Sequence, residues 1–441
     1  MAYVQPVLFL LLSAAAFGWA FVQFKRIADN IHLGRAEAVQ PSLRNMLLFA
    51  LGQKKMFRNL TPALLHGAVY VAFLVTQIEL VEIFLDGITG RHRLIYHAVE
   101  GSALGRGLYV GVISAIEILS LLALVATFAF LARRNLLKVP RFVKPEMAGW
   151  PRLDGNIILY LEIVLVTAIF TMNGADEALH RAEGHGSYGF ALSSTVLWKA
   201  FAGLSPEGLK AAERVGWWLH ILVVFGFLNY LPSSKHLHIL LAFPNAYFMR
   251  PDDWGRMKHM PEIEREIRAM LDPSAAPAGE DAPPPPEQFG ARDATDLSWK
   301  QLLDAYACTE CGRCTAACPA NQTGKKLSPR KIMMDTRDRI TEIGNVRRAH
   351  GPEHADGKAL LGDYITAEEL RACTTCNACV QECPVGINPL SIILDLRRHQ
   401  ILDQSDSPEA WTQMFNNVEN NGAPWQFPQS ARAEWTQTLN D

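Results

Sequence analysis

Apolar residues run almost unbroken through positions 5–24, 62–85, 108–131, 157–172 and 215–231, and from about 250 onward the chain becomes polar and charged. Four of these runs approach or exceed the roughly 20 residues that cross a bilayer as a helix, and the fourth, IILYLEIVLVTAIFTM, does so with its flanks. Buried helices of soluble proteins seldom recur at this length. The pattern therefore predicts five transmembrane helices, at about 5–24, 62–85, 108–131, 155–173 and 215–232. No basic residue precedes the first run, and its first charges, Lys25 and Arg26, follow it. A retained span is expected there, not a cleaved leader. The stretch GFALSSTVLWKAFAGL (189–204) is too mixed for a sixth span and is expected at the outer interface.

Charge sets the expected orientation. Lys25, Arg26, Arg35, Arg44, Lys54, Lys55 and Arg58 crowd the first connection, and Arg133, Arg134, Lys138, Arg141, Lys144 and Arg152 the third. Basic loops stay on the cytoplasmic side. This predicts a multi-pass protein of a bacterial or archaeal cytoplasmic membrane, with its N-terminus outside and its C-terminal half in the cytoplasm. The expected organisation is a membrane domain over 1–250, a linker over 251–298 that contains PSAAPAGEDAPPPPE, a soluble domain over 299–405 and a docking tail over 406–441. No P-loop or Rossmann fingerprint is present, and a net charge of −2 over 441 residues gives no reason to expect a nucleic-acid partner.

All eight cysteines fall into two copies of one pattern, CTECGRCTAACP from Cys308 and CTTCNACVQECP from Cys373. Cys-x2-Cys-x2-Cys-x3-Cys-Pro is the run of two-cluster ferredoxins, in which the fourth cysteine serves the other cluster. On that geometry Cys308, Cys311, Cys314 and Cys383 hold one [4Fe-4S] cluster, and Cys373, Cys376, Cys379 and Cys318 the other. Disulfides are disfavoured in a reducing compartment, and zinc sites commonly use separated Cys-x2-Cys pairs. Helices are expected over 329–344, opened by Pro329, after Thr366 as a cap, and over 388–403. The soluble part thus reads as a mostly helical ferredoxin, and the whole chain as an all-α membrane protein. Lys325, Lys326, Arg330 and Lys331 read as a solvated basic face or as a docking surface for an acidic redox partner.

Histidines on facing helices can hold haem iron. His66, near the cytoplasmic end of the second span, and His238, beyond the end of the fifth, sit at matching depths and make the preferred axial pair for one haem b, with His236 as the substitute. His220 lies at a different depth, and a second haem there needs a partner such as His92 or His97. Glu79, Glu82, Glu117 and Glu162 all fall inside spans, where acids are costly unless paired or functional. Glu117 and Glu162, with Trp217 and Trp218, read as a proton-transferring quinone pocket or as buried structural acids.

Together, LGQKKMFRNLTPALLHGAVY (51–70), WWLHILVVFGFLNYLPSSKHLHILLAFPN (217–245), both cysteine runs and NNVENNGAPW (416–425) resemble the membrane-bound heterodisulfide-reductase-like iron–sulfur proteins. That group includes the electron-transfer-flavoprotein:quinone oxidoreductases, and its N-terminal domain is similar to the cytochrome b subunit of respiratory nitrate reductase. The resemblance implies haem on the second and fifth helices, with His66 and His238 matching one pair and His220 half of another. Its longer members continue into CCG-containing cysteine-rich domains, whereas no cysteine follows Cys383 here. The expected role is therefore an electron-transfer subunit between the quinone pool and a cytoplasmic partner: a CCG-domain iron–sulfur subunit, an electron-transfer flavoprotein or another dehydrogenase. The alternatives are a membrane anchor and conduit with no quinone site of its own, or a subunit of a heterodisulfide-reductase-like enzyme.

Overall fold

A computed structural model describes residues 4–249, 257–272 and 288–439. The Pro-rich stretch 273–287 lies outside the described residues. The described chain is almost entirely helical, and five helices are long and apolar enough to cross a membrane: α1 (Val4–Ile31), α2 (Leu60–Thr89), α3 (Ala103–Asn135), α4 (Trp150–Ala182) and α5 (Pro206–Tyr230). This is a multi-pass membrane protein. Each helix outruns its apolar stretch because capping residues and polar turns continue it past the bilayer. Ser102 and Ser205, for example, accept the first free backbone N–H groups of α3 and α5. Residues 189–204 form turns and a single short 3-10 segment, not a sixth crossing.

The spans close into a ring. α2 packs on α1 and α3, α3 on α4, α4 on α5, and α5 back on α1, so that α2 and α5 both flank α1. The α4–α5 contact is backbone-close, since a Cβ at Gly216 would stand 2.6 Å from the Met172 nitrogen. Small residues at such crossings supply the van der Waals contact that must replace the hydrophobic drive inside lipid.

The cysteine half is built from α6 (Trp299–Tyr306), α7 (Arg313–Ala317), α8 (Pro329–His350), α9 (Ala367–Arg371), α10 (Ala378–Glu382) and α11 (Pro389–Arg398). α8 starts at the predicted Pro329. Thr366 caps α9 in a reciprocal box with Glu369, the Thr366 N–H donating to Glu369 at 2.9 Å. Packing begins earlier than the expected boundary at 299, because Ala291, Ala294 and Leu297 are already fully buried.

The two halves share one core. α1 runs past its predicted end at 24, and Ile27 joins the apolar cluster of the cysteine half. Asn30 donates to the Tyr306 hydroxyl at 2.8 Å and accepts from Arg348 at 2.9 Å. It sits where a Cβ on Gly344 would collide with its side chain. The segment after α5 is tied down as well: Lys235 meets Glu310 at 2.6 Å, and Lys300 donates to Asn245 at 2.9 Å.

Candidate cofactor sites

The two cysteine runs fold alike. Glu310 and Thr375 stand at φ 52° and 54°, and Gly312 and Asn377 at 72° and 60°. A left-handed β-branched residue costs roughly 1–2 kcal/mol. The curl turns the Thr375 N–H toward Cys373 Sγ at 3.4 Å, and the turn after Cys383 brings the Ile387 N–H to Cys383 Sγ at 3.3 Å. α7 and α10 start directly after these turns and pack against each other. Cys318 and Cys383 follow them in the same extended conformation, each ahead of a proline.

That pairing carries each fourth cysteine across. A small, mostly apolar pocket, partly open to solvent, is lined by Cys318 together with Cys373, Cys376 and Cys379, and by Ala320, Leu327, Leu390 and Ile393. Cys383 instead lies within electrostatic reach of Cys308, Cys311 and Cys314. Burial, with mutual repulsion added, pushes the Cys308 and Cys379 thiols up to about 12 and Cys383 to about 11. Such thiols keep their protons until a metal displaces them. Among the described residues no three His, Cys, Asp or Glu side chains are gathered as one ion needs. The ligands of a four-iron cube stand wider apart than those of a single ion, and all-sulfur donors in an apolar cradle suit it.

The sets differ in their surroundings. Lys55 lies within electrostatic reach of Cys383 and Arg141 within reach of Cys311, and Arg58 meets Glu382 at 3.1 Å. The first set therefore abuts the membrane half. Cys376, in the second set, is exposed.

At the same end, His66, His236 and His238 converge. Their charges act on one another, and the His236 and His238 rings are 5.5 Å apart. His238 Nδ1 lies 2.9 Å from the Lys235 carbonyl. With the proton assigned to Nδ1, Nε2 is free to ligate. His66 Nδ1 is buried without a partner. These donors come from α2 and from the segment that follows α5. His220 is buried away from these three, its Nδ1 3.4 Å from the Leu165 carbonyl. Its neighbours Trp217, Ile221 and Phe225 pack with Phe9 of α1 and Ile83 of α2. His92 is held by Asp176 at 2.8 Å and Glu213 at 3.5 Å, and exposed His97 by Glu100 at 3.1 Å.

Glu117 does not join Glu162. It accepts from the Leu192 N–H at 2.6 Å and from the Ser193 N–H and hydroxyl, anchoring the 189–204 segment. Sequence reasoning asked for a basic partner and overlooked backbone donors from a distant loop. Glu162, half-buried on the stripe of Gly155, Val166 and Ile169, makes no hydrogen bond or ion pair among the described residues. Trp217 is fully buried and packs with Phe9, Ile169 and Ile221. The expected basic face also disperses: Arg330 is fully buried against Glu146 at 2.7 Å, while Lys326 and Lys331 pair with Glu368 and Asp335.

A network at the far end of the bundle escaped the sequence reading. Arg93 is buried and bonds Asp176, Tyr109 and Asn173. Asn173 donates to Glu79 and Tyr109 to Glu82, while Asp86 accepts from the Arg93 and Leu94 N–H groups. Three acids on α2 at 79, 82 and 86 share one helix face, a spacing that calls for a facing cation or backbone donors.

The family model of the 4Fe-4S dicluster domain matches residues 307–387, which include all eight cysteines. A probable iron–sulfur-binding oxidoreductase, FadF, of Bacillus subtilis is 26% identical over 99% of this chain and 61% of its own length. The EtfAB:quinone oxidoreductase of Syntrophomonas wolfei is 26% identical over 98% of this chain and 59% of its own. One component of the ferredoxin/F420H2-dependent CoB-CoM heterodisulfide reductase of Methanosarcina acetivorans is 36% identical over 24% of this chain and 53% of its own. The chain thus spans about three fifths of the first two relatives. No solved structure matches it.

Proposed function

We propose that this chain, a membrane-associated iron–sulfur protein homologous to the quinone-oxidoreductase and heterodisulfide-reductase-like families, is the membrane-anchored electron conduit of a larger redox complex. One observation carries the reading: one cysteine set abuts the membrane half beside His66 and His238, while the other opens to solvent at Cys376. Two [4Fe-4S] clusters and one haem b, when bound, supply one-electron carriers along that line. Cys308, Cys311, Cys314 and Cys383 would hold the inner cluster, Cys318, Cys373, Cys376 and Cys379 the outer one, and His66 and His238 the haem. Lys235 and Glu310 keep the histidine segment and the inner cradle at a fixed separation. A CCG-domain protein, a flavoprotein or another dehydrogenase would meet the Cys376 side and the 406–441 tail. The basic connections favour a cytoplasmic location for this half, with the N-terminus outside.

Glu162 favours a second reading, in which the chain reduces quinone itself. An unpaired acid on the inward face of a span can pass a proton to a reacting ring. The full chain in mild detergent, reduced with dithionite and mixed with a short-chain quinone, tests both. The conduit reading expects roughly eight irons per chain and no quinone reduction until the partner protein is added. Quinone turnover by the chain alone, abolished in Glu162→Gln, would establish the second reading, and an iron-free chain would sink both. For the crossed ligands, Cys318→Ser should perturb the EPR signal of the Cys373 cluster first; loss confined to the Cys308 cluster would reverse the assignment.

A further inference from the structure

Four arginines are buried among the described residues: Arg93, Arg313, Arg330 and Arg339. Three of them meet carboxylates, Arg93 with Asp176, Arg330 with Glu146, and Arg339 with Asp293 and Asp356. Arg313 does not. It is 5% exposed, makes no hydrogen bond or ion pair with any described residue, and its Nη1 is fully enclosed without an acceptor. A guanidinium cannot shed its charge, and leaving one buried and unpaired costs several kcal/mol. Arg313 opens α7 in the inner cysteine run, yet it lies within electrostatic reach of His66, whose Nδ1 is likewise buried and unpartnered. The inner cysteine run thus brings a planar, two-pronged anion receptor near the histidines, since Glu310 of the same run holds Lys235, whose carbonyl meets His238.

We infer that Arg313 binds a carboxylate of the tetrapyrrole held by His66 and His238, so that one side chain of the inner cysteine run fixes the haem edge nearest the cluster. The inference rests on the haem reading above. The fork of Arg313 matches a carboxylate with two parallel N–H donors. Its position between Cys311 and Cys314 puts the contact beside the ligands of the inner cluster. Arg313 is a positioning residue, and it moves no electron itself.

The test uses the full chain, purified in detergent from cells blocked in haem synthesis and titrated with haem b or with its propionate dimethyl ester. The wild-type chain should bind haem b roughly tenfold or more tighter than the ester, the usual worth of a buried charge-assisted pair. Arg313→Gln should bind both alike at the ester's affinity, with Arg313→Lys between. Cluster EPR spectra and iron content should not change. If Arg313→Gln fails to fold, the wild-type preference and the Lys variant still decide. Equal binding of haem b and ester by the wild type overturns the inference alone, as would an acidic lipid headgroup seated on Arg313. Preference retained in Arg313→Gln, or a shift confined to the cluster potential, also overturns it. A wild-type chain that binds neither ligand removes the haem reading and the inference together.

Discussion

The two ends of the helix bundle both bury polar groups and treat them in opposite ways. At the far end, Glu79, Glu82, Asp86, Arg93, Asn173 and Asp176 satisfy one another and the backbone of the 93–96 turn. At the end facing the cysteines, His66 and Arg313 keep enclosed nitrogens without partners. A satisfied network holds loops in place and has no capacity left for a ligand, whereas an unsatisfied pair is a destabilising element that only a bound group relieves. Burial of charge inside a membrane therefore does not mark function here.

The contrast can be broken by substitution at either end. The largest effect is expected at the cluster-facing end, where His66→Ala should abolish the haem absorbance while roughly eight irons stay bound in the soluble half; an unchanged reduced spectrum would remove His66 from the site. At the far end, Arg93→Met leaves Asp176 and Glu82 short of a cation in a buried setting. Unfolding in detergent should show a loss of about 3–5 kcal/mol, with haem and cluster spectra of the folded fraction unchanged. No loss would mean that the network is not structural. Glu117→Gln keeps shape but weakens the contacts to the 192–193 backbone and hydroxyl, for about 1–3 kcal/mol. Quinone-linked turnover in the assembled complex should be unaffected, and a lost turnover with normal stability would return Glu117 to proton transfer. The smallest effect belongs to the partly exposed Arg58–Glu382 pair: Arg58→Ala should cost less than about 1 kcal/mol and leave the EPR signal of the Cys383 cluster in place.

How far the sequence could be read follows the range of the interactions involved. Five spans, the caps at Thr366 and Pro329 and the two cysteine runs were legible because each depends on neighbours within a few positions: an apolar run long enough for a bilayer, a side chain reaching its own helix N-terminus, thiols spaced to wrap one cube. Even the placement of Cys318 beside Cys373, Cys376 and Cys379 follows from a short helix between the third and fourth cysteines. Partnership across the fold was not legible. Glu117 and Glu162 look alike in sequence, yet loop 191–193 closes over one and nothing described meets the other. Lys325, Lys326, Arg330 and Lys331 form one basic word in the sequence and disperse to several partners, because successive helical residues point in different directions. Arg313 is an unremarkable letter between two cysteines. Only the tertiary structure, which packs α7 against α8, α10 and the 140–142 segment, leaves it buried, charged and unpaired, since that state depends on atoms from remote parts of the chain.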